Sequence, residues 1–248
     1  MFMMELMSKV ALVTGGSRGI GAATAQRLAQ AGATVALTYV KSADKAHAVA
    51  KEIEAAGGKA LVIKADNSDP AQAVDAVEQT AAELGGLDIL VNNAGIVEMG
   101  PLEAMTAEAL DRLWNVDVKS VFLASQAAAR HMTEGGRIIT IGSTLAERAP
   151  MPGTTIYSMA KAALIGMTKG LARDLGPRGI NALVINAGAV DTDLNPADGP
   201  AGDALRSFTP LGRYATAQEI AEVVAQLAGP AGVYITGTSI TVDGGFAA

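Results

Sequence analysis

Short apolar runs alternate with longer amphipathic segments along the chain from Lys9 onward. Each run is nearly free of polar residues and lacks the strict alternation of a half-exposed strand. Such runs are typical of strands that are buried on both faces of a parallel sheet. The predicted strands are residues 9–14, 34–39, 59–65, 87–91, 136–142, 181–185 and 239–242.

Helix signals lie between these runs. Asp69-Pro70 is a typical helix start, and Gly85-Gly86 ends the same segment. Ser42 can cap a helix over 43–56, and residues 106–131 form one long helical pattern. Strands that alternate with helices in this rhythm are joined by right-handed crossovers. The pattern therefore predicts that every strand of the sheet is parallel to its neighbours.

The resulting prediction is an α/β fold. We expect a single doubly wound domain of the Rossmann type over residues 9–248, with a seven-stranded parallel sheet and helices on both faces. We expect one domain to carry every site of the protein, because no linker or repeat divides the chain. Residues 1–8 are expected to be a flexible N-terminal segment.

Composition narrows the range of functions. Half of the 248 residues are hydrophobic, and the net charge is −6 without a dense run of lysine and arginine. An acidic chain of this kind argues against nucleic acid as a partner. No apolar run reaches the ~18 residues of a membrane span, and 1–8 lacks the features of a signal peptide. We therefore expect no membrane partner and a cytoplasmic location. The chain has no cysteine, which excludes disulfides and thiol catalysis, and no metal site is expected.

A glycine-rich turn follows the first predicted strand and precedes a helical segment. Its sequence is Gly15-Gly16-Ser17-Arg18-Gly19-Ile20-Gly21. Glycines let the backbone approach a phosphate closely, and the start of a helix offers unpaired N–H groups to an anion. The turn predicts a dinucleotide site that includes Gly15, Ser17, Arg18, Gly19, Ile20 and Gly21. The alternative is a tight turn that binds no ligand.

The end of the second predicted strand bears on the kind of dinucleotide. A site for NAD usually has an acidic side chain there, which holds the ribose 2′-hydroxyl. This chain has Tyr39 at that place and no acid from 34 through 43. Arg18 and Lys41 can supply positive charge to a 2′-phosphate, and Ser42 adds a hydroxyl. We therefore predict NADP(H) as the cofactor. The alternative is that Arg18 and Lys41 are solvated surface charges.

Tyr157 and Lys161 are four residues apart in a predicted helix, so their side chains share one face. An ammonium beside a phenol lowers the pKa of the phenol toward the range useful for proton transfer. Ser143 follows the fifth predicted strand, and a strand end can bring its hydroxyl to the same substrate oxygen. The alternative for the pair is a solvated helix face.

These motifs occur in the order typical of the short-chain dehydrogenase/reductase family. The matching positions are 14–21, 92–95, Asn115, Ser143, Tyr157, Lys161 and 188–192. The resemblance runs from about Lys9 to Gly245. Length and the ending 242–245 resemble the compact, oligomeric branch, especially ketoreductases similar to 3-oxoacyl-acyl-carrier-protein reductase. The resemblance implies a homotetramer.

The resemblance also implies roles for four catalytic residues. Tyr157 is the general acid for carbonyl reduction and the general base for the reverse reaction. Ser143 hydrogen-bonds the substrate oxygen and stabilises the charge that develops on it. Lys161 lowers the pKa of Tyr157 and holds the nicotinamide ribose. Asn115 binds a water that links Lys161 to solvent.

Further cofactor contacts are implied in the same way. Asp66 and Asn67 are expected beside the adenine, and Asn93 next to the cofactor. Thr192 and the backbone near Val190 hold the carboxamide. The remaining predicted cofactor-binding residues are Tyr39, Lys41, Ser42, Ala94, Gly95, Tyr157, Lys161 and Gly188. One departure is Ala187-Gly188, where the family usually has Pro-Gly. We expect residues 194–208 to be a mobile segment beside the site, and the absence of the proline bears on the geometry of this segment more than on the chemistry.

The function that follows is NADP(H)-dependent interconversion of a ketone and a secondary alcohol, with a small-molecule substrate. Two alternatives remain: a reductase dedicated to 3-oxoacyl thioesters on a carrier protein, and a non-catalytic nucleotide-sensing protein. Asp191 and Asp193 are a weaker candidate for a cation site, because loop hydrogen bonding explains the pair better.

Overall fold

The computed structural model describes residues 5–248, and seven strands of that part of the chain form one parallel sheet. Their order across the sheet is β3-β2-β1-β4-β5-β6-β7. The strands are β1 Val10–Val13, β2 Thr34–Tyr39, β3 Lys59–Lys64, β4 Ile89–Asn92, β5 Arg137–Ser143, β6 Asn181–Ala187 and β7 Thr238–Val242. The predicted doubly wound fold is confirmed.

Helices cover both faces of this sheet. They are α1 Gly19–Gln30, α2 Ala43–Ala55, α3 Pro70–Leu84, α4 Ala107–Trp114, α5 Ser120–His131, α6 Thr155–Leu175, α7 Gly202–Phe208 and α8 Ala217–Ala228. The apolar side chains of α1, α2 and α8 pack on one face together with Val13 and Leu37. Those of α3 and α5 pack on the other face with Leu12 and Leu90. Adjacent residues of a strand thus enter opposite halves of the core, which explains the unbroken apolar runs.

The order of the strands reverses between β1 and β4. The chain proceeds from β1 toward β3 on one side and from β4 toward β7 on the other. At such a switch point the loops leave in opposite directions and open a crevice outside the carboxyl ends of the strands. The glycine-rich turn follows β1, and 93–95 follows β4, so both border this crevice.

The long helical pattern at 106–131 forms, but it is not α-helical throughout. A π-helical turn, Asn115–Lys119, joins α4 to α5. A π turn inserts one extra residue and is frequent at functional sites. Hydrophobic spacing alone could not reveal it, because the apolar residues on either side keep a helical period.

Part of the N-terminal segment is held by the domain. Residues 1–4 lie outside the described residues, but Leu6 is 2% exposed and packs in the core beside α1. Its N–H donates to the carbonyl oxygen of Ala31 over 2.9 Å. The ordered chain therefore begins before Lys9, because an apolar side chain at position 6 has a place to be buried.

One smaller expectation differs from the structure, and another is not tested by it. Ser42 precedes α2, but its side chain does not cap the helix; Ala46 instead donates its N–H to the backbone oxygen of Ser42. The segment 194–208 contains a short helix, α7, and the ring of Phe208 meets that of Phe246 edge-on at 6.0 Å. Its mobility stays a prediction. Within 5–248, no helix combines the length and apolarity that crossing a bilayer requires.

The capping box at the start of α8 leads to a prediction about stability and pH. Thr216 Oγ1 accepts from the N–H of Glu219, and Glu219 Oε2 accepts from the N–H of Thr216. Hydrogen bonds from Arg213 and from the Thr216 backbone lower the pKa of Glu219 from 4.5 to about 2. Glu219→Ala should lower the free energy of unfolding by about 1 kcal/mol at neutral pH, since the reciprocal cap is lost.

The sign of the pH dependence follows from the lowered pKa. The contribution of ionised Glu219 is complete above pH 4.5 and is lost as the pH falls toward about 2. Urea unfolding at a series of pH values should therefore show wild type and Glu219→Ala converging below pH 4.5. Gln218→Ala, which changes an exposed neighbour in the same turn, is the control. A deficit that stays constant down to acid pH would contradict this account.

Candidate active site

The glycine-rich turn is folded tightly against the ends of β2 and β4. The N–H of Gly15 donates to Thr38 Oγ1 over 2.9 Å. Asn93 Nδ2 donates to the carbonyl oxygens of Thr14 and Gly15, at 2.8 and 3.1 Å. Gly15 has a φ of +65°, and a Cβ on Gly21 would overlap the carbonyl oxygen of Gly15. Glycine is therefore required at these two positions, because a side chain would be strained at Gly15 and would not fit at Gly21.

The start of α1 completes this cradle. Arg18 precedes the helix with an extended backbone and gives it no side-chain cap. The N–H groups of the first turn are therefore not satisfied by a capping side chain, which is the arrangement that binds phosphate at helix starts. Ser17, Gly19 and Ile20 lie in this turn, so the structure brings the predicted phosphate-binding residues together.

The loop after β4 is fixed to the glycine-rich turn by one hydroxyl. Thr14 Oγ1 accepts from the N–H groups of Asn93 and Ala94, each over 3.0 Å. Asn93 thus bridges two loops on either side of the crevice. On the side where the adenine is expected, Asn67 Nδ2 donates to Ser120 Oγ over 3.2 Å, and Asp66 Oδ1 accepts from the N–H of Ser68.

The cations near the expected 2′-phosphate converge on a carboxylate. Asp193 Oδ2 lies 2.7 Å from Lys45 Nζ and 3.7 Å from Arg18 Nη1. The hydrogen bond and charge of Lys45, with a smaller effect from Arg18, lower the pKa of Asp193. Lys45 was not singled out from the sequence; it lies in the first turn of α2, four residues after Lys41. Lys41 and Tyr39 lie at the end of β2, and Lys41 is exposed.

The two aspartates after β6, which are the weaker candidate for a cation site, both have partners within the protein. Asp193 binds cations of the protein itself, and Asp191 Oδ1 accepts from the N–H of Ala197 over 2.9 Å. Loop hydrogen bonding and ion pairing therefore explain both residues. Over residues 5–248, no cluster of three or more side chains suited to a metal ion occurs.

The segment after β6 passes close to the C-terminal part of the chain. A Cβ on Gly188 would lie 2.6 Å from the Cα of Asp243. Val190 is buried and pairs with Ala215, while Thr192 Oγ1 accepts from the N–H of Asn195. This is the side of the crevice where the carboxamide contacts are expected. The missing proline at Ala187 leaves β6 intact to that residue.

Ser143, Tyr157 and Lys161 belong to two adjacent elements. Ser143 is the last residue of β5 and is nearly buried, and Tyr157 and Lys161 lie in the first two turns of α6. Lys161 Nζ lies 5.5 Å from the centre of the Tyr157 ring. The oxygen of Ser143 accepts from the N–H of Leu145 over 3.2 Å. Its own O–H is therefore left to donate elsewhere.

Lys161 is almost fully buried and is paired with a residue that sequence analysis missed. Its Nζ lies 2.8 Å from Asp117 Oδ2, and the Asp117 side chain is wholly buried. Burial lowers the pKa of Lys161, but the charge of Asp117 and the nearby Tyr157 outweigh it, so the pKa lies above its ordinary value. Asp117 lies in the π-helical turn, two residues after the half-buried Asn115. The one feature of the sequence that could have pointed to Asp117 is an acidic residue placed between two apolar ones, Val116 and Val118.

Comparison with known proteins identifies the family of this site. A family model described as enoyl-(acyl carrier protein) reductase matches residues 15–247. A short chain dehydrogenase from Burkholderia cenocepacia J2315, in complex with NADP, is 54% identical with a TM-score of 0.97, covering 98% of this chain and all of that chain. The chain belongs to the short-chain dehydrogenase/reductase family.

Two curated relatives of this short-chain dehydrogenase/reductase carry different names. Versicolorin reductase of Emericella nidulans is 36% identical over 254 residues, which is 97% of this chain and 96% of that protein. The cyclic-di-GMP-binding biofilm dispersal mediator protein of Escherichia coli K12 is 43% identical over 240 residues, 97% of this chain and 98% of that protein. The resemblance inferred from the motifs is confirmed, and the chain is an oxidoreductase by family.

Proposed function

We propose that this chain is an NADP(H)-dependent oxidoreductase that interconverts a ketone and a secondary alcohol, with Tyr157 as general acid and base. The observation that carries the proposal is the buried Lys161 ammonium, 5.5 Å from the Tyr157 ring, on a helix that adjoins the strand end bearing Ser143. A phenol, an ammonium and a hydroxyl at the edge of a dinucleotide crevice match carbonyl reduction better than any other chemistry of these residues.

The cofactor site fits NADP(H). The glycine-rich turn can receive a pyrophosphate, because it leads into the start of α1, which has no capping side chain. Arg18 and Lys45 already converge on one carboxylate oxygen, and a phosphate presents oxygens of the same kind. The Burkholderia relative was solved with NADP. When bound, NADPH supplies the hydride, and Lys161 and the segment 188–192 would hold its nicotinamide end.

The side chains of the site have separate tasks in reduction. Ser143 donates its free O–H to the carbonyl oxygen and stabilises the negative charge that develops there. Tyr157 donates its proton to the same oxygen. The Lys161 ammonium stabilises the phenolate that is left, because opposite charges attract strongly at a buried site. Asn115 stands at the start of the π-helical turn and is proposed to bind a water in the path that returns a proton.

The carbonyl substrate is proposed to be a small molecule. The family model carries an acyl-carrier-protein reductase description, which keeps a thioester on a carrier protein as the second candidate. A panel of small ketones, 3-oxoacyl thioesters and enoyl thioesters, with oxidation of NADPH followed by absorbance, separates the two. The E. coli relative is named for binding cyclic-di-GMP. A sensing role needs no buried Lys161 beside Tyr157, so the intact catalytic set favours an enzyme.

The proposal extends to the whole molecule. Residues 9–248 form the NADP-binding domain with both sites, and the compartment is the cytoplasm, where NADP(H) is available. We also propose a homotetramer. Three large apolar side chains, Trp114, Phe122 and Met159, are exposed by 39–44% on α4, α5 and α6, which supports burial of these helices between subunits.

Tyr157→Phe tests the catalytic role directly. Turnover should fall by about 10²–10⁴-fold, because only the proton donor is removed, while NADPH affinity, measured by the fluorescence of the bound nucleotide, should stay within about three-fold. Tyr234→Phe removes the same hydroxyl from a fully exposed tyrosine and is the control. If Tyr157→Phe keeps more than about a tenth of the turnover on a substrate whose chemistry is rate-limiting, Tyr157 is not the acid.

Lys45→Met tests the preference for NADP(H). Wild type should favour NADPH over NADH in kcat/KM, and the ratio should fall by about ten-fold or more in the variant, since a charge-assisted hydrogen bond contributes about 1.5–3 kcal/mol. NADH kinetics should change little. Lys51→Met, an exposed lysine on the same helix, should leave the ratio unchanged. A wild-type enzyme that uses NADH as well as NADPH would sink the cofactor assignment.

Light scattering tests the assembly. One chain has a mass of 25.1 kDa, and the particle at micromolar concentration should have four times that mass. Phe122→Lys should reduce the mass, because a charge in an apolar contact between subunits is costly. A particle of one chain in wild type would rule the tetramer out.

A further inference from the structure

A backbone N–H and a buried ammonium, from different parts of the fold, meet at the side chain of Asp117. Its Oδ1 accepts from the N–H of Ile96 over 2.9 Å, and its Oδ2 lies 2.8 Å from Lys161 Nζ. The carboxylate is completely shielded from solvent. Asp117 therefore links the loop after β4 to α6, with the π-helical turn as the element that carries it.

Only a carboxylate satisfies this arrangement. One neighbour of Asp117 is an N–H donor and the other is an ammonium, and a carboxylate offers an acceptor oxygen to the first and a negative charge to the second. An asparagine of the same shape has a single acceptor, so either Ile96 or Lys161 would face an N–H₂ group. A lone ammonium at this depth would also be strongly disfavoured, because a buried charge needs a partner. The residue type thus follows from these two neighbours and from burial together.

The pair also has little room to move. A Cβ on Gly95 would lie 3.2 Å from Asp117 Oδ2 and 3.5 Å from Lys161 Nζ. The absence of a side chain at Gly95 is therefore what allows the ion pair to pack against the backbone after β4. On its other side, Lys161 Nζ faces the Tyr157 ring at 5.5 Å. The ammonium is therefore close both to the backbone after β4 and to the ring of Tyr157.

We propose that Asp117 is a positioning residue for the reaction, which fixes the ammonium of Lys161 beside Tyr157 and beside the crevice. This inference rests on the role given to Lys161 in the proposed function. Asp117 does not touch substrate; it acts through Lys161. The raised pKa of Lys161 agrees with this role, because the charge of Asp117 more than offsets the effect of burial.

A double-mutant cycle in the full-length chain tests the proposal. The variants are Asp117→Asn, Lys161→Met and the combination of both, and the readouts are kcat and KM, NADPH affinity by nucleotide fluorescence, and Tm. Asp117→Asn should lower kcat by about 10²-fold, since a displacement near 1 Å in the site has this effect. The KM for the carbonyl substrate should stay within about three-fold, because Asp117 makes no contact with substrate.

The Tm values should show opposite signs in the two backgrounds. In wild type, Asp117→Asn should lower Tm, because it leaves Lys161 without its counter-charge. In the Lys161→Met chain, the same change should raise Tm, because it removes a buried carboxylate that has lost its partner. NADPH affinity should fall with Asp117→Asn in wild type and should not fall further in the Lys161→Met background. Asp111→Asn, the same change at an exposed position of α4, should leave every readout unchanged.

Three results would overturn the proposal. One is an Asp117→Asn enzyme with kcat and NADPH affinity within about two-fold of wild type. Another is an equal fall of Tm in both backgrounds, which would mean that Asp117 stabilises the fold only by accepting the hydrogen bond from Ile96. The third is an unfolded Asp117→Asn chain whose fold the added Lys161→Met change fails to restore. If wild type reduces no carbonyl in the panel, the proposed function fails, whereas the Tm cycle and NADPH affinity still decide whether Asp117 positions Lys161.

Discussion

Parallel pairing of the strands is the constraint on which the site depends, because it places all seven carboxyl ends at one edge of the sheet. Residues that are far apart in sequence, such as Ser17 after β1 and Ser143 at the end of β5, then border the same crevice without any long loop to carry them. The reversal of strand order between β1 and β4 opens the crevice exactly where the two loops diverge. Ser143, Tyr157 and Lys161 are thus held by a strand end and a helix start.

Around that edge, the sterics of glycine and the pairing of buried charge act together. A Cβ at Gly21 would overlap the carbonyl oxygen of Gly15, and a Cβ at Gly95 would crowd the ion pair of Asp117 and Lys161. Lys161 remains charged inside the protein because Asp117 accompanies it. The result is a site whose polar groups are set in place before any substrate arrives, which is the condition for electrostatic catalysis.

Much of the fold was predictable from the sequence, because the patterns that indicate it are local. Strands buried on both faces need unbroken apolar runs, and tight strand–helix turns need glycine, so each signal lies within a few adjacent residues. Ser143, Tyr157 and Lys161 were found for the same reason. Asp117 was not found from the sequence. Its proposed role depends on a π-helical turn and on the N–H of Ile96, and neither can be recognised from the spacing of hydrophobic residues. Lys45 was missed because its partner, Asp193, is distant in the chain and meets it only in the folded protein. The burial of Leu6 was not predicted, because it depends on a contact with Ala31 at the end of α1 that only the folded chain forms.

The contact of Asp193 with Lys45 has a consequence for how binding and motion are connected. Asp193 belongs to the segment that follows β6, while Lys45 and Arg18 stand on the phosphate side of the crevice. A dianionic group that enters there draws on the same two positive charges that hold the segment. The interaction that the incoming anion gains with Arg18 and Lys45 is lost by the carboxylate of Asp193. Binding of the anion and release of Asp193 are therefore linked by one coupling free energy. All three side chains are about half exposed, so dissolved salt screens both interactions together. Ionic strength should therefore affect anion binding and the ion pairs of Asp193 through the same three side chains.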